Sequence, residues 1–240
     1  MKPKVSPAGA GLTIGSMNLH CGLSGRGRPF DVPGALGVLD ADVIAVQEAW
    51  QPADGADAVA TAARELGAQL IRTQVVAGAS LAELSIVPRP ERGNWGIAVL
   101  SRLPVTGYET LDLGRAPGDI VRRKALICSV QTPGGWPLRL VTTHLTHRFT
   151  SPGQLVRLTA HLSRTPVPTV IVGDLNMPRL ATRVAAGYAP TVRGRTFPAH
   201  RPVIQLDHLL TSPAVASADA EVLAPLGSDH LPIRALVGPA

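Results

Sequence analysis

An α/β domain rich in strands is the fold class that this sequence predicts, on three observations. Short apolar runs, rich in β-branched residues and bounded by Gly, Pro, Asp or Ser, recur along the chain, which is how strands read. Several of them, such as VIAV, TVIV and ALICSV, lack alternation, which predicts strands covered on both faces. Helical spacing occurs in fewer segments, and no internal repeat or linker divides the 240 residues. That length suits one large domain with ample core, so 1–240 reads as a single unit.

In chain order, LTIGSM (12–17) predicts the first strand. Residues 31–41, DVPGALGVLDA, predict a helix capped by Asp31 with Pro33 in its first turn. DVIAVQ (42–47) predicts a strand, and the Ala-rich stretch 53–68 a helix that stops near Gly67. GIAVLS (96–101), KALICSV (124–130) and LRLVTTHL (138–145) predict three more strands. A Ser cap followed by Leu155, Leu158 and Leu162 predicts a helix over 151–164. PTVIVGD (168–174), VIQLDHLL (203–210) and HLPIRALV (230–237) complete the strands. A short helix over 177–188 and surface loops over 88–93 and 193–202 fill the remainder.

Hydrophobic residues at 45% and charged residues at 17% exclude a disordered chain. Aromatics at 3% leave the core to Val, Leu, Ile and Ala. No apolar run approaches the roughly 20 residues of a membrane helix. Lys2 and Lys4 have no apolar stretch of a secretory signal behind them. The expectation is a cytoplasmic monomer without an integral membrane segment. Cys21 and Cys128 form no CxxC pair, which suits two free thiols in a reduced compartment. A net charge of +6 suits an anionic partner. The arginines are scattered, however, and Arg122-Arg123-Lys124 is the only run of three basic residues. The charge is compatible with phosphate chemistry and says no more.

Polar residues fall where the strands end. Six apolar runs deliver Asn18, Gln47-Glu48, His144, Asp174-Leu175-Asn176, Asp207 and Asp229-His230 at or near their termini. Rigid strands hold such groups while the loops beyond leave a site open. Each residue alone has an ordinary reading: a turn for Asn18, a carboxylate ahead of a helix for Glu48, a core histidine for His144. Asp174 and Asn176 read equally as an Asx-turn or a cap, Asp207 as a satisfied buried carboxylate, Asp229-His230 as a turn. Together they would require several carboxylates to lie in apolar sequence by coincidence, and unpaired buried charge is too costly for that. The set reads as a site.

Glu, Asp and Asn are hard oxygen ligands that suit Mg²⁺, Mn²⁺ or Ca²⁺ rather than zinc. The histidines lack HExxH spacing, and no Cys pair completes a tetrahedral site. GDLN spaces Asp174 and Asn176 two apart, on one face if the backbone is extended. One could then take a proton from water while the other donates to a phosphoryl oxygen. P-loop phosphoryl transfer lacks its GxxxxGK[ST] motif and a serine hydrolase its GxSxG. Adjacent Asp229 and His230 would face opposite sides of a regular strand, so one site can use both only if the backbone there is irregular.

The ordered series Asn18, Gln47-Glu48, GIAVLSRLPV (96–105), THL (143–145), GDLN (173–176), LDHLL (206–210) and SDHLPI (228–233) resembles the endonuclease/exonuclease/phosphatase, or DNase I-like, superfamily over residues 12–237. The resemblance implies a four-layer α/β sandwich, two mixed β-sheets packed face to face with flanking helices. It also implies a phosphoester hydrolase that uses Mg²⁺ (or Mn²⁺) and direct attack of water. Carried over motif by motif, Glu48 is the principal metal ligand, helped by Asn18, with Asp229 on the metal side. Asp174 orients and deprotonates the water, and Asn176 touches the phosphoryl oxygens. His230 contacts the phosphate, Asp207 orients its ring, and His144 is a second phosphate-contacting histidine. Arg123, in RKAL, matches a strand start where an arginine clamps phosphate; a surface arginine is the alternative. His20 has no assigned role, and His147 and His208 read as structural.

The superfamily leaves the substrate open. Tyr108 and Tyr188, the only tyrosines, do not match the context of the abasic-site endonucleases' tyrosine. Signal peptides and disulfides of secreted sphingomyelinases and DNases are not evident, nor are basic motifs of inositol phosphatases. The expectation is a phosphodiesterase or nuclease-type hydrolase whose partner is a phosphoester, nucleic acid among the candidates. A sphingomyelinase-like or small-molecule phosphoesterase is the alternative. A catalytically inactive phosphate-binding protein is a remote one, because the set is complete.

Overall fold

The structure is a computed structural model that describes residues 11–116, 119, 121–147 and 151–240. Lys2 and Lys4 lie outside the described residues. The described chain forms β1 (Leu12–Asn18), α1 (Val32–Val38), β2 (Val43–Pro52), α2 (Ala58–Glu65), β3 (Gln69–Ser80) and β4 (Arg92–Ser101). There follow β5 (Val105–Gly114), β6 (Arg123–Gln131), β7 (Pro137–His144), α3 (Ser151–Leu162), β8 (Thr169–Asp174), β9 (Ala189–Pro190), β10 (Asp207–Thr211), β11 (Val215–Val222) and β12 (Ile233–Pro239).

Two six-stranded sheets result, in the orders β11-β12-β1-β2-β4-β3 and β5-β6-β7-β8-β10-β9. Each carries one parallel pair at its centre, β1 with β2 and β7 with β8, and antiparallel neighbours elsewhere. Alternation along the central strands builds the layers. Val43 and Ala45 of β2 join Val170 and Val172 of β8 in an aliphatic layer between the sheets. Ile44 and Val46 turn outward against Leu36 of α1 and Val59 and Ala62 of α2. Ile171 of β8 turns the other way, against Leu155, Leu158 and Leu162 of α3. Runs without alternation are thus strands with both faces covered, and the four-layer sandwich is the observed fold.

Asp31 and Asp57 cap α1 and α2, accepting from the backbone N–H of Gly34 and Ala60. Ser151 is itself the first helical residue of α3 rather than its cap; its hydroxyl donates to the Asn176 carbonyl at 3.3 Å. The helix expected over 177–188 is only a 3₁₀ turn at Ala181–Val184. Tertiary bonds hold this segment against β8–β10. His208 Nε2 lies 2.8 Å from the Met177 carbonyl, and Arg179 donates to the Pro190 and Val192 carbonyls. Such ties override helical propensity. They also make His208, fully buried, a structural residue.

Candidate active site

Parallel neighbours end side by side, and this places the site. β1 sets Asn18 opposite Gln47 of β2, and β7 sets His144 opposite Asp174 of β8. Antiparallel β10 begins where β8 ends, with Asp207 opposite Asp174. The segment before β12 brings Asp229 and His230 to the same end, fastened by the Ser228 hydroxyl donating to the Asn18 carbonyl at 2.7 Å. Its backbone is irregular, with Gly227 at φ 113° and bends at 227–230. That answers how adjacent Asp229 and His230 line one cleft.

Two local distortions aim the acids. Along a regular β2, Gln47 and Glu48 would face opposite sides. A bulge interrupts the β2–β4 register between Val46 and Ala49, with Glu48 at φ 50°, a left-handed conformation that costs a non-glycine residue about 1–2 kcal/mol. Gln47 stays fully buried while Glu48 lines the cleft. Asn176 is also at φ 50°; its N–H donates to Asp174 Oδ1 at 2.9 Å and its side-chain amide to the Leu145 carbonyl at 2.9 Å. GDLN is therefore an Asx-turn and not the extended pair expected, yet both side chains line the cleft.

Asp174 is the centre of the site and is 1% exposed. Its Oδ2 accepts from Asn18 Nδ2 at 3.1 Å and lies 3.5 Å from His144 Nε2 and 3.8 Å from His230 Nε2. Burial pushes this carboxyl up to about 7; His230 and the bonds from Asn176 and Asn18 oppose the rise, and Asp207 adds to it. His230 Nδ1 donates to Asp207 Oδ2 at 2.9 Å. Burial disfavours its charged form, but Asp207 and Asp174 outweigh burial and push the ring up to about 10. His230 is thus cationic at neutral pH. His144 is the reverse: burial, then Arg123 and His230, hold it well below the usual histidine range. Its ring is neutral, so its approaches to Glu48 and Asp174 are not ion pairs.

Asn18 spans the two acids, donating Nδ2–H to Glu48 Oε1 and to Asp174 Oδ2, each at 3.1 Å. Its Oδ1 accepts from the His20 N–H at 3.0 Å. Arg123 is buried rather than on the surface, 5.3 Å over the Trp95 ring and 3.5 Å from Asp119 Oδ2. Burial pulls its pKa down, offset by Asp119, Glu48 and Asp174. Among the described residues, Glu48 Oε2, His144 Nδ1 and Arg123 Nε and Nη1 are buried without a hydrogen-bond partner. With Phe197, Leu84 and Ile86 these groups line a cleft of about 540 Å³. His147, read from sequence as structural, is exposed on its rim. Sequence reasoning gave no role to Trp95, whose ring packs 5.4 Å from that of His144.

Glu48, Asp119, Asp174 and Asp229 line this cleft with the cations Arg123 and His230, and Asp207 stands behind His230. A bare buried carboxylate oxygen beside an excess of negative charge fits a hard divalent cation. Glu48 Oε2 supplies that oxygen, and half-buried Asp229 lines the same cleft. Asp174, Asp207 and His230 also offer ligand atoms within 4.8 Å of one another. Their closest pair is already joined by the 2.9 Å hydrogen bond, which suits proton chemistry better than ligation.

The sequence pattern of the Endonuclease/Exonuclease/phosphatase family matches residues 15–230. The chain belongs to this family. Members of the family are hydrolases acting on phosphoesters. The Escherichia coli (strain K12) protein YbhP is 27% identical over 250 residues, covering 92% of this chain and 93% of that protein. An endonuclease/exonuclease/phosphatase from Beutenbergia cavernae has the same fold, with TM-score 0.75 at 20% identity over 96% of this chain and 72% of that one. A mannosyl-6-phosphatase of Bacteroides thetaiotaomicron superposes with TM-score 0.69 at 15% identity, covering 94% and 99%. The family fold is the DNase I-like sandwich described above. Among the described residues no helix is long and apolar enough to cross a membrane.

Proposed function

We propose that this chain is a metal-dependent phosphoesterase that attacks phosphorus directly with water. One observation carries the reading: buried Asp174 stands between a neutral and a cationic imidazole and is tied through Asn18 to Glu48, whose other oxygen has no partner among the described residues. Glu48 and Asp229 would hold Mg²⁺ or Mn²⁺, with Asn18 as a bridge between acids rather than a ligand. When bound, the cation polarises a phosphoryl oxygen and stabilises the leaving oxyanion.

Asp174 takes the proton of the attacking water as the new P–O bond forms and the ester P–O bond breaks. His230, held cationic by Asp207, offers Nε2–H to the phosphoryl group as charge builds there. The second N–H of the Asn176 amide and the ring of His144 contact the same group. Arg123, its free N–H donors walled in by Trp95, serves as the phosphate clamp.

Cleft volume and wall chemistry favour a small phosphoester over a nucleic-acid duplex: about 540 Å³, with Leu84, Ile86, Trp95 and Phe197 beside the polar floor. The fold neighbour that is a mannosyl-6-phosphatase supports a substrate of that size. The test is a panel of bis-p-nitrophenyl phosphate, sugar phosphates, sphingomyelin, abasic duplex, DNA and RNA, each with Mg²⁺ and Mn²⁺. Turnover strongest on a small ester is expected. Turnover strongest on DNA or RNA overturns the substrate reading, and none on any ester leaves a binding protein.

A further inference from the structure

A polar seam crosses the aliphatic layer between the sheets, directly beneath the cleft. Gln47 on β2 is 0% exposed. Its Nε2 donates to Thr142 Oγ1 of β7, in the opposite sheet, at 3.0 Å, and to Ser16 Oγ of β1 at 3.2 Å. Its Oε1 accepts from the Ser16 hydroxyl at 3.3 Å. Thus both donors and the acceptor of the buried amide are used. An apolar residue of similar size would remove the amide's own desolvation cost but leave the buried Ser16 and Thr142 hydroxyls without this partner.

The position of the seam suggests why a polar group stands there. Gln47 immediately precedes Glu48, in the bulge that turns Glu48 toward the cleft. On the other sheet the amide abuts Gly173, the residue before Asp174. A Cβ on Gly173 would lie 3.0 Å from Gln47 Nε2 and 2.3 Å from the Thr143 carbonyl, and Gly173 has φ 142°. The glycine of GDLN therefore lets the amide seat against β8. One side chain touches the backbone neighbours of both acids, and its bond to Thr142 is a cross-sheet link.

We propose that Gln47 is a positioning residue: its bond to Thr142 sets the spacing and orientation of Glu48 relative to Asp174 across the two sheets. Gln47 touches neither substrate nor metal and acts through those two acids. The activity part rests on the phosphoesterase reading; the metal-binding part does not. A seam that serves position predicts losses of metal affinity and turnover in a protein that remains folded, beyond the modest loss of stability from an unpaired buried group.

The test compares Gln47→Met, Thr142→Val and Thr142→Ser with the parent protein. It measures thermal melting, Mn²⁺ affinity by calorimetry and kcat on bis-p-nitrophenyl phosphate. Gln47→Met and Thr142→Val each leave a buried polar partner unpaired, so they are expected to fold but to melt a few degrees below the parent. Their Mn²⁺ affinity should fall about 10-fold and kcat about 10- to 100-fold, the scale at which small misplacements act. Thr142→Ser keeps the acceptor oxygen and should stay within about twofold of the parent in both. A folded Gln47→Met with Mn²⁺ affinity and kcat within about twofold of the parent overturns the proposal. If Gln47→Met does not fold, the same outcome in Thr142→Val overturns it. If the parent hydrolyses no ester, the phosphoesterase reading fails while calorimetry still decides the seam.

Discussion

The two parallel pairs end at the same cleft but are built differently. The β1/β2 end is strained and incomplete. Glu48 sits in left-handed backbone at φ 50°, and one of its carboxylate oxygens is buried without a partner. At the β7/β8 end, extended by β10, Asn176 is also in left-handed backbone and His144 Nδ1 also lacks a partner among the described residues. The acids there, however, are bonded to donors: Asp174 accepts from the Asn176 N–H, and Asp207 accepts from His230. A carboxylate that is missing a partner suits a ligand from outside, and one bonded to its own donors suits acid–base work. Asn18 joins them. The difference teaches that the two acids divide the labour of the proposed reaction, metal at Glu48 and proton transfer at Asp174. His230 reaches Asp174 from the segment before β12, in the sheet of β1 and β2.

Substitutions at Asp174 of the β7/β8 end and at His230, which reaches that acid from the segment before β12, should break the comparison most. Asp174→Ala and His230→Ala are each expected to lower kcat about 10²- to 10⁴-fold, the range of a lost acid–base group, with circular dichroism unchanged. Near-parental kcat in either would remove the assignment of proton chemistry to that end. Glu48→Gln should act differently: the Mg²⁺ or Mn²⁺ concentration for half activity rises about 10- to 100-fold, as for a lost metal partner. An unchanged metal titration would erase the distinction between the ends.

A titration sharpens the comparison. In EDTA-treated protein the His230 ring, followed by NMR, should lose its proton near pH 10, and Asp207→Asn should bring that midpoint down. The sign follows from linkage. With its folded value raised above the ordinary 6.5 of a histidine, the ring contributes stability that is fully present below pH 6.5 and is lost as pH rises toward 10. The smallest effect lies away from the cleft. Asp31→Ala removes the α1 cap and should cost about 1 kcal/mol in urea denaturation while leaving kcat alone.

What the sequence made legible follows the same physics. Central strands such as Val43–Pro52 and Thr169–Asp174 declare themselves because both faces are buried in aliphatic side chains. The sequence reading has no strand over β3, β5 or β11, and all three are edge strands. With a face open to water they carry polar and small residues, YET in β5 and ASADA in β11, and their strand pattern fades. Acids and histidines of the cleft stood out because they interrupt apolar runs. The roles of Gln47 and Gly173 did not, because each depends on a partner in the opposite sheet, 95 residues away for Gln47 and Thr142. Likewise the bulge at Glu48 shows only in the pairing of β2 with β4.

Metal dependence tests the division of labour most directly. Protein dialysed against EDTA is assayed on bis-p-nitrophenyl phosphate before and after Mg²⁺ or Mn²⁺ is restored. The structure predicts hydrolysis at the buffer rate in EDTA and recovery with either ion, recovery that Glu48→Gln shifts to higher metal concentration. Full activity in EDTA would contradict it.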